Sequence, residues 1–242
     1  MLAILNKEVS GFFSSLIAYV AIGVFLLALA LFLWVFPDTS ILEYGYASLE
    51  SLFRITPYVF MFFIPAVTMR SFAEEKKEGT FELLATQPLS DWEIVMGKFG
   101  ACMIIVLAAL IPTFIWYVVV YLLGAPQGNA DQGAVIGSYL GLFMLGAAFV
   151  AIGIFASSIT INQIISFVVA IFLCFFFYEG FDALSGILSL QHIEVYLMAL
   201  GISGHYQSVS RGVLDTRDLV YFISIVALFL LLTKTIVGGR RW

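Results

Sequence analysis

The chain has 242 residues, of which 62% are hydrophobic and 11% charged, and its net charge is −5. Soluble domains are about a quarter charged, so this apolar excess excludes a single aqueous core and points to a polytopic helical membrane protein. No basic patch suggests a nucleic-acid partner, and no polar stretch is long enough to fold alone, so residues 1–242 read as one membrane domain.

Residues 1–15 mix Lys7 and Glu8 with Leu2, Ile4, Leu5, Phe12 and Phe13. They suit an interfacial lead-in helix or a frayed extension of the first span. Val9 to Pro37 is uncharged over 29 residues, more than the ~20 needed to cross a bilayer. The first span is placed at about 15–36 and read as retained, because the run is too long for a cleaved signal peptide and has no small-residue cleavage site. A polar loop follows over 38–54. The second span, about 55–69, lies between Arg54 and Arg70. The 15 intervening residues make only roughly 22 Å of helix, so both arginines are expected to snorkel outward. Pro57 and Pro65 favour a kink, which is either simple bending or the mark of a movable, pathway-lining helix.

The third span covers about 99–123, with Pro112 inside it, and Ser90 and Glu93 form an S-x-x-E capping box ahead of it. After a turn-rich loop, 47 uncharged residues run from Gln132 to Tyr178. The polar cluster Ser157 to Gln163 divides them into a fourth span, about 135–156, and a fifth, about 164–178. Gly137 and Gly141 have the G-x-x-x-G spacing that lets helices approach closely. Residues 179–218 are mixed, with apolar pieces such as Ile193 to Ile202 too short to span. They are expected to form short external or re-entrant helices. The sixth span is about 219–237. The expected fold is therefore an all-α membrane protein with six transmembrane helices.

Six spans put both termini on one side. That side would hold Lys7, Arg70, Lys76, Lys77, Lys98, Lys234, Arg240 and Arg241, against Arg54, Arg211 and Arg217 on the other. The positive-inside rule then makes the termini and the 70–98 segment cytoplasmic. Cys102 and Cys174 fall in apolar runs at different depths, which argues for packing roles and against a disulfide.

The 70–98 segment holds ten of the 27 charged residues. On a helix from about Ser71 to Ala85, Glu74, Glu78 and Glu82 would form one acidic stripe. Like charges at that spacing are mildly destabilising, with Lys77 offsetting them in part, so water or a basic partner should face them. Phe81, Leu83 and Leu84 lie beside the stripe and could rest on the membrane or fill a partner's groove.

The stretch Glu74 to Lys98, EEKKEGTFELLATQPLSDWEIVMGK, closely resembles the coupling segment of ABC-2 type ABC transporter permeases. The residues that carry the resemblance are Glu74, Glu75, Gly79, Thr80, Glu82, Leu83, Leu84, Thr86, Pro88, Gly97 and Lys98. A second match is HYQSVSRGVLDTRD, containing His205, Tyr206, Ser210, Arg211, Gly212, Asp215, Arg217 and Asp218. The runs from Pro65 and from Arg211 further resemble the gliding-motility-associated (GldF-type) permease subunits. The resemblance implies a multi-pass subunit of the bacterial inner membrane that pairs with a second permease, identical or homologous, above two copies of an ABC ATPase. Glu74, Glu75, Lys77, Gly79, Thr80, Phe81, Glu82, Leu83, Leu84 and Pro88 would form the ATPase-coupling site. Reversing Glu74, Glu75 and Glu82 to Lys is expected to uncouple ATP use without unfolding the bundle. By the same resemblance, the second and fifth spans would line any pathway. ATP and magnesium would sit on the partner chain, since no G-x-x-x-x-G-K loop is present here. The chain itself is expected to bind no cofactor or metal.

An intramembrane enzyme is the rival class. The Glu74–Glu75 pair is followed by Lys-Lys-Glu-Gly, and His192 and His205 lack metal-ligand spacing, so no catalytic step is expected. His205 reads as a loop hydrogen-bonder. Arg211, Asp215, Arg217 and Asp218 alternate in sign and are expected to form ion pairs that cap the sixth span, or else a substrate gate. A second alternative is a non-transporting module that does mechanical or assembly work in an envelope complex.

Overall fold

The computed structural model describes residues 1–41, 48–81, 89–124, 131–186, 198–213 and 215–239. It is helical throughout, with no strand among the described residues, and six helices are long and apolar enough to cross a membrane. They cover Leu16–Trp34, Glu50–Lys77, Asp91–Leu123, Gln132–Ile159, Gln163–Ser185 and Thr216–Gly238. Most begin on a side-chain cap. Ser15, Ser90, Asp131, Asn162 and Asp215 each accept a backbone N–H of the first turn, and the Ser90–Glu93 capping box is complete. Caps matter here because the first four N–H groups of a helix have no internal partner.

The second and fourth spans form the centre of the bundle. About two thirds of their apolar windows are buried (67% and 72%), against 22–28% for the first, fifth and sixth spans. The fourth span earns this position through its glycines. A Cβ at Gly153 would fall inside the Thr68 side chain of the second span, and one at Gly146 would lie 3.0 Å from Val106 of the third. Small residues that admit a neighbour closely are the usual means of helix association in lipid. Gly137 and Gly141 serve a different contact. They receive the external segment at Gly212 and Val209 rather than another span.

The second span runs through both of its prolines as one helix, Glu50–Thr68. Pro57 cannot donate to the carbonyl of Phe53 four residues back. That carbonyl instead accepts the Tyr206 hydroxyl at 2.7 Å, so the proline leaves a notch that the external segment fills. In the third span, Pro112 falls in a 3₁₀ turn, Ile111–Thr113, between helices Asp91–Leu110 and Phe114–Leu123. The fifth span loosens into a π turn at Phe176–Gly180 before ending in Phe181–Ser185.

The lead-in segment is a separate helix, Leu2–Phe13. It packs on the third span where Gly97 and Gly100 leave room for Ile4 and Leu5. The same end of the bundle holds the 68–81 elbow, the turn between the fourth and fifth spans, and the close of the sixth, where Lys234 lies 5.2 Å from the Trp92 ring. The opposite end holds residues 198–213, with a short helix at Ile202–Val209. Cys102 and Cys174 are free and buried.

Candidate coupling site

The elbow does not continue as the single helix expected over Ser71 to Ala85. It is a five-residue helix, Ala73–Lys77, that ends at Glu78 because Gly79 takes a positive φ of 71°. That left-handed conformation suits glycine and breaks a helix. The helix expected to carry the stripe of Glu74, Glu78 and Glu82 is therefore interrupted at Gly79. Glu82, Leu83, Leu84, Thr86 and Pro88 lie outside the described residues.

What remains is pinned from two sides. Ser157, fully buried at the end of the fourth span, accepts the N–H groups of Phe72 and Ala73 at 3.0 and 3.1 Å. Its hydroxyl donates to the Met69 carbonyl at 3.0 Å. Three backbone groups of the elbow thus end on one hydroxyl. The Lys76 ammonium donates to the Ser158 carbonyl beside it.

On the other side stands Lys98, 1% exposed although it belongs to the third span. Its ammonium meets Glu8 at 2.7 Å and Glu75 at 2.9 Å and donates to the Ser71 carbonyl at 2.6 Å. It also lies 5.1 Å from the centroid of Phe72. Glu75 binds Lys7 of the lead-in helix at 3.0 Å with its other oxygen. Burial opposes the charge on Lys7, but the hydrogen bond and charge of Glu75 outweigh it, so its pKa is raised. Two cations and two carboxylates thus balance, as a partly buried cluster requires. They line a cleft of about 480 Å³ together with Arg70, Glu74 and Cys102.

The predicted coupling residues therefore divide. Glu75 turns inward, so reversing it to Lys would set three cations together and carry a structural cost. Glu74 lies 3.7 Å from Arg70. Phe81 is buried against Phe72, ring centroids 6.1 Å apart, and offers no apolar surface to a groove. Lys77, Glu78, Gly79 and Thr80 are the exposed edge of the elbow. Sequence reasoning missed Lys7, Glu8, Ser71 and Ser157 as parts of this site. A lysine placed within an apolar helix was the one available signal, since such a group needs partners.

The external set lies at the opposite end. His205 Nδ1 is 2.7 Å from Asp218 Oδ1, and Ser208 Oγ donates to Asp218 Oδ2 at 2.5 Å. Tyr206 is buried, and burial pushes its hydroxyl well above the usual tyrosine pKa, which keeps it a donor to Phe53. The Ser210 carbonyl accepts Ser138 Oγ at 2.8 Å, and Gly212, at φ 82°, packs on Ala134. The ion pairs expected at the head of the sixth span are absent from the described residues. Among the described residues, neither Arg211 nor Arg217 pairs with an aspartate within 4 Å. Asp215 caps the helix with its side chain, and the Arg217 N–H, its main stabilising partner, lowers its pKa. Asp218 is buried against His205 instead of standing free at the helix start.

A protein-family model described as ABC-2 family transporter protein matches residues 39–206, about 69% of the chain. The match takes in the second to fifth spans, the elbow with its Ser157 and Lys98 partners, and the external helix as far as Tyr206. No curated protein matches the chain.

Proposed function

Because this chain belongs to the ABC-2 family of transporter proteins, we propose that its elbow receives the stroke of a separate ABC ATPase and passes it to the bundle. The chain is a multi-pass membrane permease component of an ABC transporter. In the proposed assembly, two such permeases, identical or homologous, stand over two ATPase subunits. The ATPases hold ATP and magnesium and carry the chemistry, while this chain binds and moves. Its setting would be the bacterial inner membrane with both termini cytoplasmic, as the charge bias of its loops favours. The narrower resemblance of the runs from Pro65 and Arg211 to gliding-motility permeases supports a role in that process.

The observation that carries the reading is the double anchorage of the elbow. A push on a free loop would dissipate in the loop. A push on the exposed edge at Lys77, Glu78 and Thr80 meets backbone groups already tied to the fourth span through Ser157, and carboxylates tied to the third span and the lead-in helix through Lys98. Displacement of the elbow must therefore move or break those links, which is how a local contact becomes motion of packed elements.

The test is co-purification from native membranes in gentle detergent, read by native mass analysis. An ATP-binding subunit should travel with the parent chain. It should be lost when the exposed edge is reversed by Lys77→Glu with Glu78→Lys, while thermal unfolding stays unchanged. Recovery of the chain alone, with no ATPase captured by cross-linking, would overturn the reading. The mass of the complex also tells whether the second permease is this chain or another.

A further inference from the structure

The first and second spans leave a groove between them that opens toward lipid. Its floor is one face of the second span, where Ile55, Tyr58, Val59, Phe62, Phe63 and Ala66 recur every three or four residues. Its wall is a facing stripe of the first span, from Ala21 through Val24 and Ala28 to Phe32, and the fifth span adds Phe167. The second span is two-thirds buried as a whole, yet here Phe62 is 61% exposed and Tyr58 46%. Apart from the Tyr58 and Thr39 hydroxyls, the side chains that line the groove are apolar.

Its dimensions select the occupant. Ile55 and Ala66 are eleven residues apart, roughly 16 Å along the helix. That is about the depth of one leaflet of a ~30 Å hydrocarbon core. Spread over that length, the groove's volume of about 680 Å³ gives a cross-section of roughly 40 Å². A helix with its side chains is about 10–12 Å wide, roughly 80–110 Å² in section, so a span of another chain is too broad to enter. An extended hydrocarbon chain fits in both width and length.

The external mouth of the groove carries charge of both signs. Thr39 and Ile55 mark that end. Asp38 precedes Thr39 and Arg54 precedes Ile55; both are exposed, as is Glu50 one turn before Arg54. Glu179 of the fifth span accepts the Tyr58 hydroxyl at 2.8 Å. Among the described residues bordering the mouth, one guanidinium therefore stands with three carboxylates. A head group bearing a phosphate alone would meet net repulsion there, whereas one bearing a phosphate and an ammonium answers both signs.

We propose that the groove is a binding site for one phospholipid of the external leaflet, its acyl chain laid along the second span and its zwitterionic phosphoethanolamine head group at the mouth. The phosphate faces the Arg54 guanidinium, and the ammonium faces the Asp38 and Glu179 carboxylates. The chain covers the Phe62 ring and fills the seam between the first and second spans. Packing across that seam then depends in part on lipid, so the site joins the outermost span to the centre of the bundle.

The experiment uses the full chain in nanodiscs of phosphatidylethanolamine and phosphatidylglycerol in equal parts, with a trace of phosphatidylethanolamine carrying a photoreactive diazirine on its acyl chain. Cross-links should concentrate on residues 21–32 and 55–66. An even spread over the lipid-facing residues of every span, such as Leu16, Ile115, Ile164 and Leu231, would mean annular lipid only and overturn the site. Native mass analysis after detergent exchange should show one phosphatidylethanolamine kept per chain and severalfold less phosphatidylglycerol. Equal retention of the two would overturn the head-group assignment. Ala28→Phe, which fills the groove, should abolish the retained lipid and the focused cross-links, while Ile115→Phe on the third span should leave both unchanged. Asp38→Asn with Glu179→Gln should keep the lipid and lose the preference. Should Ala28→Phe fail to fold, the parent's cross-link map and mass still decide. A disulfide joining two chains that carry Phe62→Cys would seat a second copy in the groove and overturn the proposal as well.

Discussion

Lys98 carries the heaviest electrostatic demand of any single residue described. An ammonium taken out of water costs several kcal/mol, recovered only by well-placed partners. It has Glu8, Glu75 and the Ser71 carbonyl, all within 3 Å. Removing one partner of such a cluster leaves the others desolvated and unpaired, at a cost of roughly 3–5 kcal/mol when all are buried. Glu8 is a quarter exposed and can rehydrate, so Lys98→Met should cost near the lower end of that range. Thermal unfolding in detergent checks this, and the pair Lys98→Met with Glu75→Gln should recover part of the loss. A single variant that melts with the parent would show that the cluster contributes nothing net.

The proline in the second span is tolerated because a side chain of another helix repairs its backbone. Pro57 takes a donor from the Phe53 carbonyl, and the Tyr206 hydroxyl replaces it from 153 residues away in the chain. Tyr206→Phe should therefore leave that buried carbonyl unsatisfied, at about 1–3 kcal/mol. With Pro57→Ala the helix regains its own N–H at that position, and Tyr206→Phe should cost clearly less. The double-mutant cycle measures the difference as a coupling between the two sites. Strict additivity would mean that the notch and the hydroxyl are energetically independent. The same scale explains the elbow, where Gly79 ends a helix that the charge pattern alone would extend to Ala85.

Across the whole molecule, the two ends differ in kind. One end gathers the lead-in helix, the elbow and the Lys98 cluster. The other gathers the external helix, held by the Tyr206 and Ser210 hydrogen bonds, by Ser203 on Asp182 and by one histidine–aspartate pair. Between them stand the buried second and fourth spans, which touch both ends through the Thr68 carbonyl and Ser157 at one and Phe53 and Ser138 at the other. Three spans, an odd number, separate the elbow from the external segment and put these ends on opposite faces of the membrane. A cysteine at Glu78 and one at Arg211, both exposed positions, should accordingly react with an impermeant thiol reagent from opposite sides of sealed vesicles. Labelling of both from one side would refute the six-span topology.

The sequence alone determined the class, the number of spans and the cap that starts the third, because these follow from run length, charge spacing and local chemistry. The Ser90–Glu93 box is legible since both partners sit within one turn. The family resemblance was legible too, in Glu74 to Lys98. Only the tertiary structure decided which way those residues face. That Glu75 points inward to Lys98, that Phe81 folds onto Phe72, and that Gly137 and Gly141 receive the external segment all depend on partners distant in the chain. Ser157 reads in sequence as a polar break between two spans. It becomes an anchor because the end of the second span packs within hydrogen-bond reach of it, 85 residues away in the chain. Helical periodicity says which residues share a face of one helix, but which face meets which neighbour is settled by close packing among all six spans at once.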